Sequence, residues 1–591
     1  MRTSALKLYA PFLALALVQA AFIGFAPSRG PGNDLTAGVF DPNAPGVTAG
    51  GATGFEGGTA TDPATGQPID PATSGDPTAG GDPTAGGDTG GGAGGDTGGG
   101  GGGGDAGGGG DAGGGGGGGA PAAGGSVMDT SICKGEFQFD LLNSNPPCVG
   151  KWTGDDNGGA TYQGVTDKEI LIVVFASEPN AAVNAVLAPQ GLAATEEETQ
   201  AMHEASLDFI HKHYELYGRK LKVVRLTGDC PTTPPDVPKC KEAARAVTKM
   251  KPFMVVWATP LYAEVFDEWA RAGIISIGGW HFDQSYFSQR RPYRYDVFMD
   301  GTQSADFIAE YYCKNMAKQN ASHSGRIIHP TIGARDQVPR RLGIIVPEIP
   351  ANVATAKRVQ QKVGACDSKD PIVITYESDI NRANEQSQAT TEKLIASKVT
   401  TTVCMCDPIA PAFGSKYFTR NGYFPEFLMP GLGLIDYDLL GRLYDPQQMR
   451  HAFGPSHLAE NVPFEQSDAA KVWRDTGRSG SPCKSCNLAW SYYNFTASLI
   501  QSTGPALNPI NMERAVLTGK PRYGTPTVPL IKFGPNDYTA LSDIRTVYWS
   551  ATARSKVDGN PGAYVGIDGG KRYPLGSVPG DNIKKVPVAP E

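Results

Sequence analysis

Positive charge is short in this chain of 591 residues: 52 Lys and Arg stand against 60 Asp and Glu, a formal net charge of −8. That excludes the basic field that nucleic acid or an anionic membrane surface requires. Charge of either sign is sparse, at 19% of residues, which is low for a cytosolic protein. Long apolar runs are missing beyond the first 26 residues, so no later segment reaches the roughly 20 apolar residues that span a bilayer. Cysteine is absent before Cys133, which excludes lipidation just behind a leader. Catalytic signatures are missing too. There is no G-x-S-x-G elbow and no zincin spacing, and Gly566-Ile-Asp-Gly-Gly-Lys571 lacks the spacing and hydroxyl of a Walker A loop. His203, Glu204, His211 and His213 share a helical stretch, but positions 203, 211 and 213 do not converge on one side of it, so no metal is expected. Nothing supports an enzyme, and no cofactor is implied.

Arg2 and Lys7 precede an apolar run from Leu8 to Ala26. It reads as a signal peptide, with small residues near Val18-Gln19-Ala20 for cleavage, or as an uncleaved membrane anchor. Either reading puts the remainder outside the cytoplasm. From Pro27 to Gly125 the chain is Gly, Ala, Asp, Thr and Pro, with GDPTAG repeated at Gly75 and Gly81. Such a segment has little to bury against its ordering entropy and is expected to be a disordered tether. As a flexible coil it would span on the order of 50–60 Å.

Order begins at GVTDKEILIVVFASEP, a strand from Ile170 to Phe175. A long amphipathic helix follows, with Met202, Ala205, Phe209 and Ile210 on one face, then a strand from Lys222 to Leu226 and a helix from Lys241 to Met250. The stretch Pro252 to Gly279, PFMVVWATPLYAEVFDEWARAGIISIGG, is the most informative. It reads as a buried strand, a turn at Thr259-Pro260, an amphipathic helix to about Arg271 and a second strand. Thr259 stands where an N-cap is wanted and Pro260 at the first helical position. A second βα series follows, with strands at Arg341–Val346, Ile372–Tyr376, Thr400–Cys404 and Phe427–Met429. Near the end, an aromatic helix from Leu488 to Gly504 precedes VPLIKFGPNDYTALSDIRTVYWSA, which reads as a closing β-hairpin. The class is α/β, with doubly wound parallel sheets whose ligands bind beyond the strands' carboxyl ends.

The order of GVTDKEILIVV, the loop flanked by Cys230 and Cys240, VVWATPLYAEVFDEWARAGIISIGG, the late aromatic helix and the FGPNDYTALSDIRTVYW segment resembles the type I periplasmic binding proteins. The likeness is to the branched-chain amino-acid-binding receptors of ABC transporters, over about Gly164 to Trp549. The resemblance implies two lobes, each a doubly wound parallel sheet, joined by a hinge and closing on a small molecule. Composition sets the segments before them: an N-terminal signal or anchor at 1–27, a linker at 28–125 and a cysteine-containing extension at 126–165. The first lobe would take 166–302 and return at 455–520, the second 303–454, and a closing hairpin and tail 521–591. Its partners would be a small-molecule ligand, such as an amino acid, an amide or a related compound, and an ABC permease. An N-terminal segment left uncleaved would add the membrane. The alternative function is a ligand-sensing surface receptor of the same fold without transport.

Carried over position by position, the ligand-contacting residues would be Ser177 and Glu178 after the first strand, Ala258 and Thr259, and Trp280, His281 and Phe282. From the second lobe come Glu348 and Asp407, and from the aromatic helix Trp490 or Tyr492. The sequence departs from the amino-acid pattern at Ala351, where the family has tyrosine, and near Gly431, where it has an acidic residue. The ligand class is therefore open. Of ten cysteines, Cys133–Cys148, Cys230–Cys240 and Cys313–Cys366 are expected disulfides. Cys404-Met-Cys406 and Cys483-Lys-Ser-Cys486 are expected either to link these two segments through two disulfides or to hold zinc through four thiolates.

Overall fold

The computed structural model describes residues 129–142, 145–258, 262–279, 282–367, 369–522 and 524–589. The expected signal or anchor and the expected tether lie outside the described residues. The first sheet contains β1 (Glu169–Ser177), β2 (Lys220–Gly228), β3 (Met254–Ala258), β4 (Ile275–Gly278) and β5 (Arg294–Tyr295). They lie in the order β2-β1-β3-β4-β5, and every pairing is parallel. Ile170, Ile172, Val173 and Phe175 of β1 are fully buried, as a strand covered on both faces requires. The accompanying helices are α1 (Ala181–Leu187), α2 (Glu196–His213), α3 (Val237–Met250), α4 (Ala263–Arg271) and α5 (Gln284–Gln289). A capping box sets the start of α2: Thr195 accepts from the Glu198 N–H while Glu198 accepts from the Thr195 N–H.

The second sheet is larger. Helix α6 (Gly301–Asn315) and a short ribbon of β6 (Ile327–His329) and β7 (Gly333–Ala334) lead into it. Then come β8 (Leu342–Pro347), α7 (Pro350–Cys366), β9 (Ile372–Tyr376), α8 (Ala383–Ala396), β10 (Thr401–Cys404) and α9 (Ala410–Arg420). The series ends with β11 (Glu426–Leu428), α10 (Asp438–Gly441), α11 (Pro446–Met449) and β12 (Ala452–Ser456). The chain then returns to the first lobe. There α12 (Asp468–Asp475) and α13 (Cys486–Thr503) pack on α2, and α14 (Pro509–Thr518) packs on α13. It finishes in the second sheet with β13 (Asp543–Arg554), β14 (Pro561–Gly566) and β15 (Arg572–Pro574).

The expected closing hairpin is present in short form, and its second arm continues into the second sheet. The turn is present, since Gly534 and Asp537 exchange backbone hydrogen bonds. Beyond it Leu541 pairs antiparallel with Ile531, and the Lys532 N–H donates to Ala540 O at 2.9 Å; β13, which follows, pairs antiparallel with β12, β14 and β15. The second sheet therefore runs β14-β13-β12-β11-β10-β8-β9 with β15 on β13: parallel from β12 to β9, antiparallel at the C-terminal edge. Alternating burial is weak along VYWSATAR, where polar residues of β13 emerge from the sheet, so its pairing partner was not readable from pattern.

The extension at 129–165 is docked on the first lobe. Phe139 packs edge-on to Phe209 and Tyr214, at 5.2 and 5.0 Å. Arg219 binds the carbonyls of Thr166, Pro505 and Asn157. Gly164 sits at φ +71°, and a Cβ there would lie 2.2 Å from the Phe253 nitrogen, so the entry to β1 requires glycine.

Cys133–Cys148, Cys230–Cys240 and Cys313–Cys366 pair as expected. The expected cross-links between the CMC and CKSC segments are wrong: Cys404 joins Cys406 and Cys483 joins Cys486, with Cα separations of 5.0 and 5.1 Å. Both pairs already lie within disulfide reach. Cys404 ends a strand of the second sheet, whereas Cys486 opens α13 on the first lobe. With every described cysteine in a disulfide, no thiolate remains for zinc.

Candidate functional site

The carboxyl ends of both sheets face one cavity of about 470 Å³. From the first lobe it is lined by Ser177, Glu178 and Asn180 after β1, Thr232 and Thr233 after β2, and Tyr262. Phe298 and, on α13, Leu488 and Tyr492 complete that side. The second lobe supplies Ile345 of β8, the loop 376–380 at the end of β9, Cys404 at the end of β10 and Cys406 to Ala410 beyond it. Its facing helices α8 and α9 add the stripes Ala383, Gln386, Ser387, Thr390 and Gly414, Ser415, Phe418. The lobes touch across the mouth, where the Ile380 N–H donates to the Thr233 hydroxyl oxygen at 2.8 Å.

Most of the polar groups in the wall are already engaged. The Tyr376 hydroxyl donates to Asp407 Oδ2 at 2.5 Å, and burial, followed by the Asp407 charge, pushes that phenol well above its usual range. Asp407 Oδ1 accepts the Ile409 and Ala410 N–H groups at 2.9 and 3.0 Å, capping the turn into α9. Asp379 accepts from the Asn381 N–H, and Glu377 is paired with Arg382. Among the described residues, Glu178 and the side chains of Thr232, Ser378, Gln386, Ser387 and Thr390 have no hydrogen-bond partner.

The cavity brings together Ser177, Glu178 and Asp407 of the expected contacts. Three others stand outside its wall. Trp490 is buried in the first-lobe core, edge-on to Phe209 at 5.4 Å, and its neighbour in the alternative, Tyr492, is the residue that reaches the cavity. Phe282 is buried in a stack with Tyr286 at 4.2 Å. Glu348 is exposed, with only its N–H tied, to Tyr376 O. Ala258 ends β3 opposite Gly278, and its side chain is outside the described residues, as are Thr259, Trp280 and His281. The expected Thr259 cap is corrected all the same: α4 begins at Ala263 with Tyr262 in the N-cap position and no side-chain cap. Thr233, Tyr376 and the α8 and α9 stripes were missed. A signal existed, because the buried face of α8 is Ser387, Thr390, Thr391 and Leu394, with one large apolar residue where several would fill a core.

No protein-family model matches the sequence, and no curated protein matches it. Among solved structures, a fatty acid ABC transporter substrate-binding protein from Thermomonospora curvata superposes with a TM-score of 0.50 at 13% identity, over 73% of this chain and 97% of that one. The fold is that of a type I periplasmic binding protein. A Rhodopseudomonas palustris BisB5 solute-binding protein in complex with 3,4-dihydroxybenzoic acid has a TM-score of 0.48 at 12% identity, covering 69% of this chain and 98% of that one. For a Rhodopirellula baltica structure described as a possible leucine/isoleucine/valine-binding protein the values are 0.47, 11%, 68% and 96%.

In this binding-protein fold the hinge is built from segments that run side by side. Asp296 pairs in parallel with Thr539, donating to Tyr538 O at 3.2 Å and accepting from the Ala540 N–H at 3.0 Å. Three carboxyls crowd the joint. Burial pushes Asp296 and Asp300 up to about 7, and Asp537 up to about 6. Asp296 faces the buried Arg294, which pulls the other way, and one oxygen each of Asp296 and Asp300 has no hydrogen-bond partner. A folded-state value above the unfolded 3.8 means that the folded chain holds more protons between about pH 4 and 7, so stability from these groups falls as pH rises through that window. Buried His203, held down to about 4 chiefly by burial, works in the opposite direction. The readout is therefore a difference: Asp300→Asn is expected to lose less stability than the parent between pH 5 and pH 8 in urea unfolding. Equal slopes would refute the assignment.

Proposed function

We propose that the protein is an extracytoplasmic solute-binding protein that captures a small molecule between its lobes and hands it to an ABC-type importer. The observation that carries this reading is the cavity at the carboxyl ends of both sheets, walled by both lobes and bridged at Thr233 and Ile380. Its volume lies within the roughly 300–1,000 Å³ of pockets that take small ligands. Capture rather than turnover suits the wall chemistry: Tyr376 and Asp407 are bonded to each other and to the α9 turn, a positioning role. Transport is the finer part of the proposal, drawn from the description of the structural neighbours as ABC transporter solute-binding proteins.

The test is a thermal-shift screen of the full chain against amino acids, amides, sugars, aromatic acids and phenols, followed by small-angle scattering with any ligand found. A cleft ligand at one hundred times its Kd should stabilise by about 2.7 kcal/mol and leave the protein more compact. If no compound class moves the transition, the cleft-binder reading fails.

A further inference from the structure

We propose that the inner half of the cavity, inside the second lobe between α8 and α9, receives an uncharged aromatic ring bearing a hydroxyl, which meets Ser387 and Thr390. This deepens the cleft-binding reading and rests on it. The floor of this arm is Ile345 of β8, Cys404 of β10 and Phe427 of β11, at 7, 3 and 2% exposure. Phe418 of α9, 2% exposed, closes its far side. Interiors are normally packed to about 0.74 of their volume, and a helix lying on a sheet normally fills such a gap with Leu or Val. Here α8 presents Ala383, Gln386, Ser387 and Thr390 at the i, i+3, i+4, i+7 spacing of one face, and α9 presents Gly414. A Cβ built on Gly414 meets nothing within 4 Å. The space is thus built into both helices rather than left by one side chain.

Two further observations specify the occupant. Ser387 and Thr390 are each 8% exposed, line the cavity and have no hydrogen-bond partner. Both hydroxyls open onto the cavity, so a ligand hydroxyl can pair with them, whereas a group that covers them without pairing costs roughly 1–3 kcal/mol. A simple hydrocarbon would leave both hydroxyls unmet, and a sugar would strand its own hydroxyls against Ile345, Phe418 and Phe427. An aromatic ring with one hydroxyl satisfies both surfaces. Charge decides the rest. The charged residues among the described lining are Glu178, Glu377, Asp379 and Asp407, with no Lys, Arg or His. Arg382, the nearby cation, is held by Glu377 and Glu385. A carboxylate ligand would enter a field of its own sign, so the aromatic acids and fatty acids named for the structural neighbours are disfavoured here.

The test titrates the full chain calorimetrically with 4-ethylphenol, ethylbenzene and 4-ethylbenzoate. The phenol should bind at least tenfold more tightly than either of the others. Thr390→Val, which removes the hydroxyl at nearly constant shape, should weaken the phenol roughly 5- to 100-fold and leave ethylbenzene unchanged or tighter. Gly414→Phe should fill the arm and abolish phenol binding, while the unliganded variant unfolds at or above the parent midpoint because the ring enters open space. Benzoate binding as tight as phenol, or phenol binding unchanged in Gly414→Phe, overturns the proposal. If the parent binds another solute from the screen and Gly414→Phe does not alter it, the arm fails and the cleft-binding reading stands. If nothing binds, both fail.

Discussion

Glu426→Ala is expected to cost about 3–5 kcal/mol of unfolding free energy. Glu426 lies on β11 with no exposed surface, and Arg340, equally buried, grips it with two hydrogen bonds of 2.8 Å. The Thr401 hydroxyl adds a third at 2.6 Å and the His323 N–H a fourth at 3.0 Å. Burial pushes the Glu426 carboxyl up, but the Arg340 charge and these bonds outweigh it and hold the group below its ordinary value. Truncation strands a guanidinium where no water can reach it, along with the Thr401 hydroxyl and the His323 N–H. Most of the loss is that penalty rather than the net worth of the pair. Arg340→Met/Glu426→Leu should therefore recover a large part of the stability lost in either single variant. Urea unfolding of the parent, both singles and the double supplies the cycle. A single-variant loss below about 1 kcal/mol would show that the site is hydrated or relaxed.

The second large effect is topological. Cys313–Cys366 closes a loop with a sequence separation of 53 between α6 and α7, and Tyr312 adds a hydrogen bond to Asp367 at 3.0 Å beside it. On chain-entropy grounds a loop of that length is worth about 4 kcal/mol. Cys404–Cys406, with a separation of 2, closes a ring of three residues and is worth about 1.5 kcal/mol on the same relation. Replacing both members of each pair by serine should separate the two losses by roughly 2–3 kcal/mol in equilibrium unfolding. Equal losses would mean that native packing, and not the unfolded chain, sets their contribution.

The parallel core was legible because physics leaves it few alternatives. Ile170 to Phe175 and Phe253 to Val256 are buried on both faces, and such runs admit little but apolar residues. Local signals failed where tertiary pairing decided. Thr259-Pro260 satisfies every rule for a helix start, yet α4 waits until Ala263. CMC and CKSC each satisfy their own geometry, so partners across the lobes were not needed. The site was half legible. Loops at strand ends pointed to Ser177, Glu178 and Asp407, while Ser387, Thr390 and Gly414 lie on helices, away from the strand ends where ligand contacts were expected. A cavity is a place where side chains are missing, and sequence pattern marks what is present.

The route of the chain between lobes has a consequence for how the protein comes to be folded. The first lobe is not covered until α13 arrives at Cys486–Thr503, and the second sheet is not complete until β13 joins β12 at Asp543–Arg554. Each half thus depends on partners contributed by the last quarter of the chain. A nascent chain lacking that portion has neither lobe finished, and both must close long loops to form. Folding should be slow and late, completed only after nearly the whole polypeptide has been released.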